Sequence, residues 1–335
     1  MWERGGDVQA FVLSFGKVRL VIRYIGQRLV ETIPVLIFMS MLVFSLMFFL
    51  PGDPVTGMLG PGMDLDDEAV AKMRADLNLD RPVPVQYVTW VGNLFQGDLG
   101  RSAATKQPVA DSLVTRLPVS AYLAAYAMVI MIVISVPLGI LAATHRGRWL
   151  DLVASGFSVM GLAVPGFWLA ILMVMLFSVK LGWLPSSGYE KFTENPLLSL
   201  KHMFLPALAM GVGGAGSLTR QIRSSLLEVL QDDYIRTARA KGLASSVVLF
   251  RHALRNSLIP AVTVLGLAMG NLLSGSLIIE SIFLIPGVGS LLVSAIFTRD
   301  FPVVQAGTLV VAVFVVLINL GVDVLYGLLD PRINN

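Results

Sequence analysis

The sequence predicts an all-α protein that crosses a membrane six times. Of its 335 residues, 55% are hydrophobic and only 14% are charged, whereas soluble domains carry about 25% charged residues. Its mean hydropathy is +0.76, and the apolar residues fall into six long stretches separated by polar ones. A chain of this composition must bury its apolar surface in lipid.

Most of the six stretches approach or exceed the roughly 20 apolar residues that a helix needs to cross a bilayer. The fourth is short, and we expect Gln221 to Leu230 to continue it as a helix beyond the bilayer. Pro165 and Gly166 interrupt the third and are expected to kink it. The predicted spans are 29–50, 117–143, 150–179, 203–218, 258–279 and 303–325.

The distribution of basic residues predicts the orientation of the chain. With the N-terminus in the cytoplasm, the cytoplasmic segments hold fifteen of the 25 lysines and arginines, as the positive-inside rule requires. This orientation makes 1–28 a cytoplasmic segment, 51–116 an extracytoplasmic loop, and 329–335 a cytoplasmic tail. The basic segment 1–28 is either a helix lying on the membrane surface or a charged flank that fixes orientation. A nucleic-acid partner is not expected, because the basic residues follow membrane topology.

Residues 232–256, which we call the elbow, form a polar interruption before the fifth span. Asp232 or Asp233 is expected to cap a first helix, and Gly242 is expected to end it in a left-handed conformation. Ser245 or Ser246 then caps a second helix, and Pro260 lies in the first turn of the next span. Ala238 and Gly242 are small and four residues apart, which lets another surface approach the backbone.

The elbow carries the sequence T-A-R-A-K-G (237–242), followed by R-H-A-L-R-N-S-L-I-P (251–260). These motifs resemble the loop with which permease subunits of ABC importers dock on their ATPase, in the dipeptide, oligopeptide and nickel branch. Thr237 and Arg236 replace an Ala and a Glu of the wider permease pattern. Further stretches resemble the same branch: L-N-L-D-R-P-V-P-V-Q-Y from Leu77, G-D-L-G-R-S from Gly97, R-L-P from Arg116, E-S-I-F-L-I-P-G-V-G-S from Glu280 and R-D-F-P-V-V-Q from Arg299.

The resemblance implies a type I ABC-importer permease fold, with 117–328 as its transmembrane domain, in a bacterial inner membrane. It implies transport of peptides or a related small solute, without enzymatic activity on this chain. ATP and Mg²⁺ would bind to partner subunits, and the chain itself would hold no cofactor. The expected partners are a second, homologous permease, two ABC ATPase subunits or domains, an extracytoplasmic solute-binding protein and the lipid bilayer. The expected coupling residues are Tyr234, Arg236, Ala238, Lys241 and Gly242.

Candidate pathway or gate residues lie in the last two spans. Gly266, Gly270 and Ser274 repeat every four residues, which favours close helix packing but is also compatible with lining a conduit. Glu280 opens a stretch that resembles the family's re-entrant outer loop, a gate or wall of the pathway. Asn319 and Asp323 share one face of the last span, where a carboxylate is either functional or paired structurally near the cytoplasmic end.

Several alternative functions are disfavoured by the sequence. The stretch 211–216 matches G-x-G-x-x-G, but it lies in an apolar span and lacks the Lys and Ser/Thr of a phosphate loop. A three-histidine metal site is disfavoured because His145, His202 and His252 are far apart in sequence and predicted on different sides of the membrane, and cysteine is absent. A membrane enzyme lacks a visible catalytic constellation. An ion-driven secondary transporter stays the main alternative, although no internal repeat is visible.

The sequence does not choose the solute. Dipeptides, longer peptides, glutathione, nickel chelates and peptide antibiotics all fit the resemblance, because specificity in such systems is expected to lie largely in the binding protein.

Overall fold

The computed structural model describes residues 26–45, 48, 71, 74 and 80–329. Within them the backbone is helical apart from loops and one antiparallel bridge between Arg101 and Pro108. This confirms the predicted all-α class. Residues 1–25 of the predicted cytoplasmic segment 1–28 lie outside the described residues, as does most of 46–50 at the end of the first predicted span.

The main helices are joined by connections of different lengths, and a set of short helical pieces precedes α8. In chain order they are α1 (Gly26–Ser45), α2 (Val83–Phe95), α3 (Val109–Thr144), α4 (Trp149–Ala163), α5 (Gly166–Met173, extended by a π-helical stretch Val174–Lys180), α6 (Pro196–Val229), α7 (Asp233–Ala240), α8 (Ile259–Ile282), α9 (Val288–Phe297) and α10 (Phe301–Leu329).

Helices α3 and α6 form the centre of the bundle. Glycines on α6 let neighbouring backbones come close: a Cβ atom at Gly211 would lie 2.8 Å from the Ala127 carbonyl oxygen of α3, and one at Gly216 would lie 2.5 Å from the Ser158 carbonyl oxygen of α4. Small residues at such contacts are how helices associate in lipid, where apolar burial gives no driving force. Gly211 and Gly216 are therefore packing residues, whereas a Cβ atom at Gly213 would have no described heavy atom within 4 Å.

The third predicted span is broken rather than kinked. Helices α4 and α5 meet at an angle of 103°, because Pro165 forces the preceding Val164 into an extended conformation (φ −86°, ψ 121°). Among the described residues, five helices are individually long and apolar enough to cross a membrane, and the bent pair makes six if it is one crossing. The chain is thus a multi-pass membrane protein.

The two central helices are longer than the hydropathy pattern predicted. Helix α3 begins at Val109, not at 117, and α6 runs from Pro196 to Val229. Apolarity marks where a helix meets lipid, and polar residues such as Asp111 and Arg116 extend the helix past that region. The predicted continuation of the fourth span beyond Gln221 is confirmed.

The bundle has two distinct ends. At one end, the elbow end, lie the last turns of α3 and α6, the start of α4, and α7. At the opposite end lie α2, residues 97–108, α9 and the start of α10. Helix α2 packs against α1, where the Tyr87 and Ser40 hydroxyl groups are 2.7 Å apart.

Candidate functional site

The elbow folds as a helix, a break and a second helical arm. Helix α7 ends before Gly242, whose φ of +77° confirms the predicted left-handed conformation. The second arm consists of Ser245–Val247, a π-helical turn Val248–Ala253, and Leu254–Ser257. Pro260 lies in the first turn of α8, also as predicted.

The predicted cap position is confirmed for the first arm and is wrong for the second. Asp232 occupies the N-cap position of α7, but its side chain makes no capping hydrogen bond. The Asp233 carboxylate instead accepts a 3.2 Å hydrogen bond from Arg236. The second arm is preceded by Ala244, not by a serine. Its backbone is already extended (φ −59°, ψ 141°), so the turn into the helix is complete before Ser245 begins it.

One face of α7 is buried within this chain. Ile235 and Ala238 are 0% and 8% exposed, and they pack in a cluster with Ala143 of α3, Leu226 of α6 and Val248 of the second arm. The small side chain of Ala238 therefore allows the elbow to pack closely on the helices of its own chain. This corrects the prediction that Ala238 and Gly242 together admit another surface.

The other predicted coupling residues lie on the outer face of the elbow. Tyr234, Arg236, Lys241 and Gly242 are exposed, and a Cβ atom at Gly242 would have no heavy atom of the described residues within 4 Å. The Tyr234 hydroxyl accepts a 2.9 Å hydrogen bond from the Asn256 side chain, and it donates one of 3.4 Å to the His252 carbonyl oxygen. Tyr234 thus ties the two arms together.

An ion pair that the sequence did not indicate lies beside the elbow. Arg223 of α6 donates two hydrogen bonds to the Asp151 carboxylate of α4, at 2.6 Å and 2.9 Å. The Gly147 backbone N–H donates a third, at 2.9 Å. Nothing in the sequence pairs Arg223 with an aspartate 72 positions earlier.

A groove of about 420 Å³ opens on the side of the bundle, bordered by the break between α4 and α5, by α6 and by α8. Its polar side chains are Asn271 and Ser217, and none of the described residues that line it carries a charge. The lining residues are Leu162, Gly166, Phe167, Ala209, Met210, Gly213, Gly214, Ser217, Ala268, Asn271, Leu272, Gly275, Ile278 and Ile279.

The predicted small-residue face of α8 points away from this groove. A Cβ atom at Gly266 would collide with Val322 of α10, and one at Gly270 would lie 3.2 Å from Val315 Cγ1. The two glycines therefore serve the close packing of α8 on α10. Ser274 lies on an exposed part of α8 and donates a hydrogen bond to the Gly270 carbonyl oxygen. The groove face of α8 carries Asn271 and Gly275, which the four-residue repeat did not single out.

Glu280 is fully buried, and it holds the start of α9. One carboxylate oxygen accepts a 2.7 Å hydrogen bond from the Ser120 hydroxyl group, and the other accepts one of 3.0 Å from the Ser290 backbone N–H. The Ser120 oxygen in turn accepts a 2.8 Å hydrogen bond from the Val288 N–H. A carboxylate at a helix N-terminus satisfies unpaired N–H groups and the helix dipole. Glu280 does not line the groove, and its hydrogen bonds anchor the start of α9.

A second carboxylate joins two of the recognised motifs. Asp300, from R-D-F-P, accepts hydrogen bonds from the Ser102 hydroxyl at 2.5 Å and from the Ala103 and Ala104 N–H groups at 3.0 Å and 3.3 Å. Ser102 ends G-D-L-G-R-S, 198 positions earlier in the chain. Asp300 thus fastens the loop that follows α2 to the start of α10.

The remaining pathway candidates lie on α10. The Asn319 side-chain oxygen would be 3.7 Å from a Cβ atom at Gly270, so it faces α8 and not the groove. Asp323 lies one turn further along α10, and its side chain is outside the described residues. Among the residues that the structure describes, no three His, Cys, Asp or Glu side chains are grouped so that they could hold a metal ion.

Comparison with known proteins places this geometry in a family. Residues 135–335 match the family model described as the inner-membrane component of binding-protein-dependent transport systems, and residues 21–124 match the model of its N-terminal region. A protein of Brucella suis biovar 1 (strain 1330), named as a peptide transport system permease, is 45% identical over 308 residues, which cover 92% of this chain and 98% of that protein.

Two further relatives are similar over almost their whole length. The oligopeptide transport system permease protein AppB of Bacillus subtilis is 41% identical, over 92% of this chain and 98% of its own. The glutathione transport system permease protein GsiC of Escherichia coli O6:H1 is 40% identical, over 93% and 99%. Among solved structures, an inward-facing form of the MetNI methionine ABC transporter aligns with a TM-score of 0.55 at 18% identity, covering 65% of this chain and 96% of that one. The last likeness shows a shared fold.

Proposed function

The chain belongs to the family of inner-membrane components of binding-protein-dependent transport systems, and from this premise we propose that it forms half of a pathway that imports peptides. It is a permease subunit of an ABC importer, and it is not catalytic. The observation that carries the proposal is the pairing of an exposed elbow, suited to an ATPase, with an uncharged groove on the side of the bundle.

The groove supports a peptide as solute. Its volume of about 420 Å³ lies within the range of about 300–1,000 Å³ usual for small-molecule sites. Walls without charge do not select among charged side chains, while the Asn271 amide offers both a donor and an acceptor to a peptide backbone. Relatives named for peptide, oligopeptide and glutathione transport point to the same class of solute.

The partners follow from the two ends and the open groove. An ABC ATPase subunit docks on the outer face of the elbow, and a second, homologous permease closes the groove into a conduit and brings its own elbow to a second ATPase. ATP and Mg²⁺ bind to the ATPases. A solute-binding protein docks at the opposite end, near α2 and α9. The elbow end is cytoplasmic, in a bacterial inner membrane, as the basic residues indicate.

The elbow transmits force because it is fixed to the bundle from inside. Ile235 and Ala238 bind α7 to the ends of α3 and α6, and Tyr234 holds the second arm to α7. When the ATPases close on ATP, a push on Arg236, Lys241 and the backbone at Gly242 therefore moves α6 instead of deforming a loop. Opening of the groove toward the binding protein follows, and release of the solute inward follows hydrolysis.

The proposal is tested by purifying the tagged chain in mild detergent and identifying the proteins that accompany it. We expect a second permease and ATPase subunits with Walker motifs, and uptake of peptide into vesicles that stops when internal ATP is removed. Recovery of the chain alone, with uptake that survives ATP depletion and stops with an uncoupler, contradicts the proposal and supports an ion-driven transporter.

A further inference from the structure

We propose that the ion pair between Asp151 and Arg223 is a latch that makes α4 move with α6 when the elbow is pushed. The pair would then be a positioning element for coupling, joining the ATPase stroke to the broken helix that borders the groove. This inference rests on the proposed function, and it adds two residues that neither the motifs nor the family resemblance singled out.

The geometry of the pair is suited to fixing one helix against another. Both bonds from Arg223 go to the same carboxylate, from Nε at 2.6 Å and from Nη2 at 2.9 Å. The Asp151 and Arg223 side chains are only 9% and 29% exposed. A two-point contact between a planar guanidinium and a carboxylate restricts rotation as well as separation, which apolar contacts between the same helices do not.

Arg223 is connected to the elbow through one turn of α6. Leu226 lies three positions further along the helix and is fully buried against Ile235 and Ala238 of α7. Nothing flexible separates the two contacts, since α6 is continuous to Val229. Movement of α7 therefore reaches Arg223 through rigid helix.

Asp151 is connected to the groove through α4. Further along this helix the packing on α6 is backbone to backbone, since Cβ atoms at Gly216 and Gly161 would lie 2.5 Å from the Ser158 oxygen and 3.1 Å from the Val212 oxygen. Helix α4 ends at the break at Pro165, and Leu162 and Gly166 on either side of the break line the groove. Phe157 of α4 also packs in a cluster with Leu218 and Ile222 of α6. To these apolar contacts the ion pair adds a two-point charged contact that fixes α4 at its elbow end.

The same carboxylate also sets the turn that enters α4. Asp151 accepts the Gly147 N–H at 2.9 Å, and Gly147 has a φ of +75°. The short connection from α3 to α4 is thus held to the same point as α6. Three helices meet at Asp151, which explains why a charged side chain is kept in a nearly buried position at the start of an apolar span.

The test uses the purified complex with its ATPases and binding protein, reconstituted in liposomes, and measures peptide transported per ATP hydrolysed. For Asp151→Asn we expect hydrolysis that is still stimulated by the binding protein, with transport per ATP lowered by about tenfold, in the range of a coupling loss between sites. Arg223→Lys keeps the charge but loses the two-point contact, and we expect an intermediate ratio.

The matched control is Glu194→Gln, which removes the exposed ion pair of Glu194 with Lys191 at the opposite end. This variant should leave the peptide transported per ATP hydrolysed unchanged.

If Asp151→Asn assembles fully and lowers hydrolysis and transport in proportion, the pair is only structural and the latch is refuted. Unchanged ratios in both latch variants refute it equally. Should Asp151→Asn fail to assemble, Arg223→Lys decides, since a wild-type ratio there excludes a role for the two-point contact. An error in the proposed function would be distinguishable from refutation of the latch, because the unmodified complex would then show no ATP-dependent transport of peptide.

Discussion

At the scale of single residues, Gly242 offers the clearest test of the elbow as a docking surface. Its backbone is left-handed (φ +77°), a conformation that Asn and Asp adopt with little strain. No heavy atom of the described residues lies within 4 Å of the position that a Cβ atom would take. We expect Gly242→Asp to lower peptide uptake by at least about tenfold, a coupling loss of ordinary size, because the new carboxylate meets the ATPase. Uptake and chain abundance in membranes are the two measurements.

Gly182 supplies the matched control for this substitution. It is also left-handed (φ +62°), and a Cβ atom there would have no described heavy atom within 4 Å, but it lies in the loop after α5, away from the elbow. Gly182→Asp should leave uptake and abundance unchanged, and Gly242→Asn should separate the effect of size from that of charge. Normal uptake by Gly242→Asp would show that the ATPase docks elsewhere.

Other single residues act within this chain and not on a partner. Glu280 and Asp300 are buried carboxylates, 0% and 3% exposed, and each accepts hydrogen bonds from backbone N–H groups of a neighbouring segment. Such a group is stable when buried because its oxygens are paired. Together they fix α9 and the loop after α2 at the end where we place the binding protein.

At the scale of elements, helix α8 has two faces with different roles. Gly266 packs against Val322 of α10, whereas Gly275 lines the groove, and a Cβ atom there would have no described heavy atom within 4 Å. We expect Gly275→Leu to block peptide uptake with little change in thermal stability, because the side chain fills the groove. Gly266→Leu should instead lower the midpoint of thermal unfolding in detergent, because overpacking costs about 1–3 kcal/mol.

The two variants check each other, since both place the same side chain on the same helix. Uptake that survives Gly275→Leu, with the protein still folded, would remove the groove from the pathway. A loss of stability in Gly275→Leu as large as in Gly266→Leu would show that both faces are packing faces.

The elements were predictable from sequence to different degrees. The apolar stretches and the turn residues Gly242 and Pro260 predicted the helices and the elbow, because hydropathy and backbone preference are local properties. The groove face of α8 was not predictable, since a four-residue repeat of small residues marks close packing without saying which neighbour is packed. The Asp151–Arg223 and Ser102–Asp300 contacts join positions 72 and 198 apart, and no local pattern encodes such distances.

At the scale of the whole molecule, the two ends of the bundle differ in character. The elbow end presents basic side chains on an amphipathic helix that is fixed from within. Both ends present large exposed apolar side chains: Phe95 and Phe297 at the opposite end are 88% and 84% exposed, and Trp149 and Phe250 at the elbow end are 68% and 62% exposed. The proposed partners lie on the two sides of a membrane, with an ATPase at the basic elbow end and a binding protein at the other.

The proposed orientation predicts which end a membrane-impermeant thiol reagent reaches from outside the cell. The chain has no cysteine, so single cysteines can be introduced without a background. Gln107 and Thr193 are exposed at the opposite end, and Arg146 and Arg239 are exposed at the elbow end. In intact spheroplasts we expect labelling of Gln107→Cys and Thr193→Cys, and labelling of Arg146→Cys and Arg239→Cys only after the membrane is opened. The reverse pattern would place the elbow outside the cell, where no ATPase could reach it, and would overturn both the orientation and the coupling role of the elbow. Peptide uptake by each cysteine variant is the control that the labelled chain is folded.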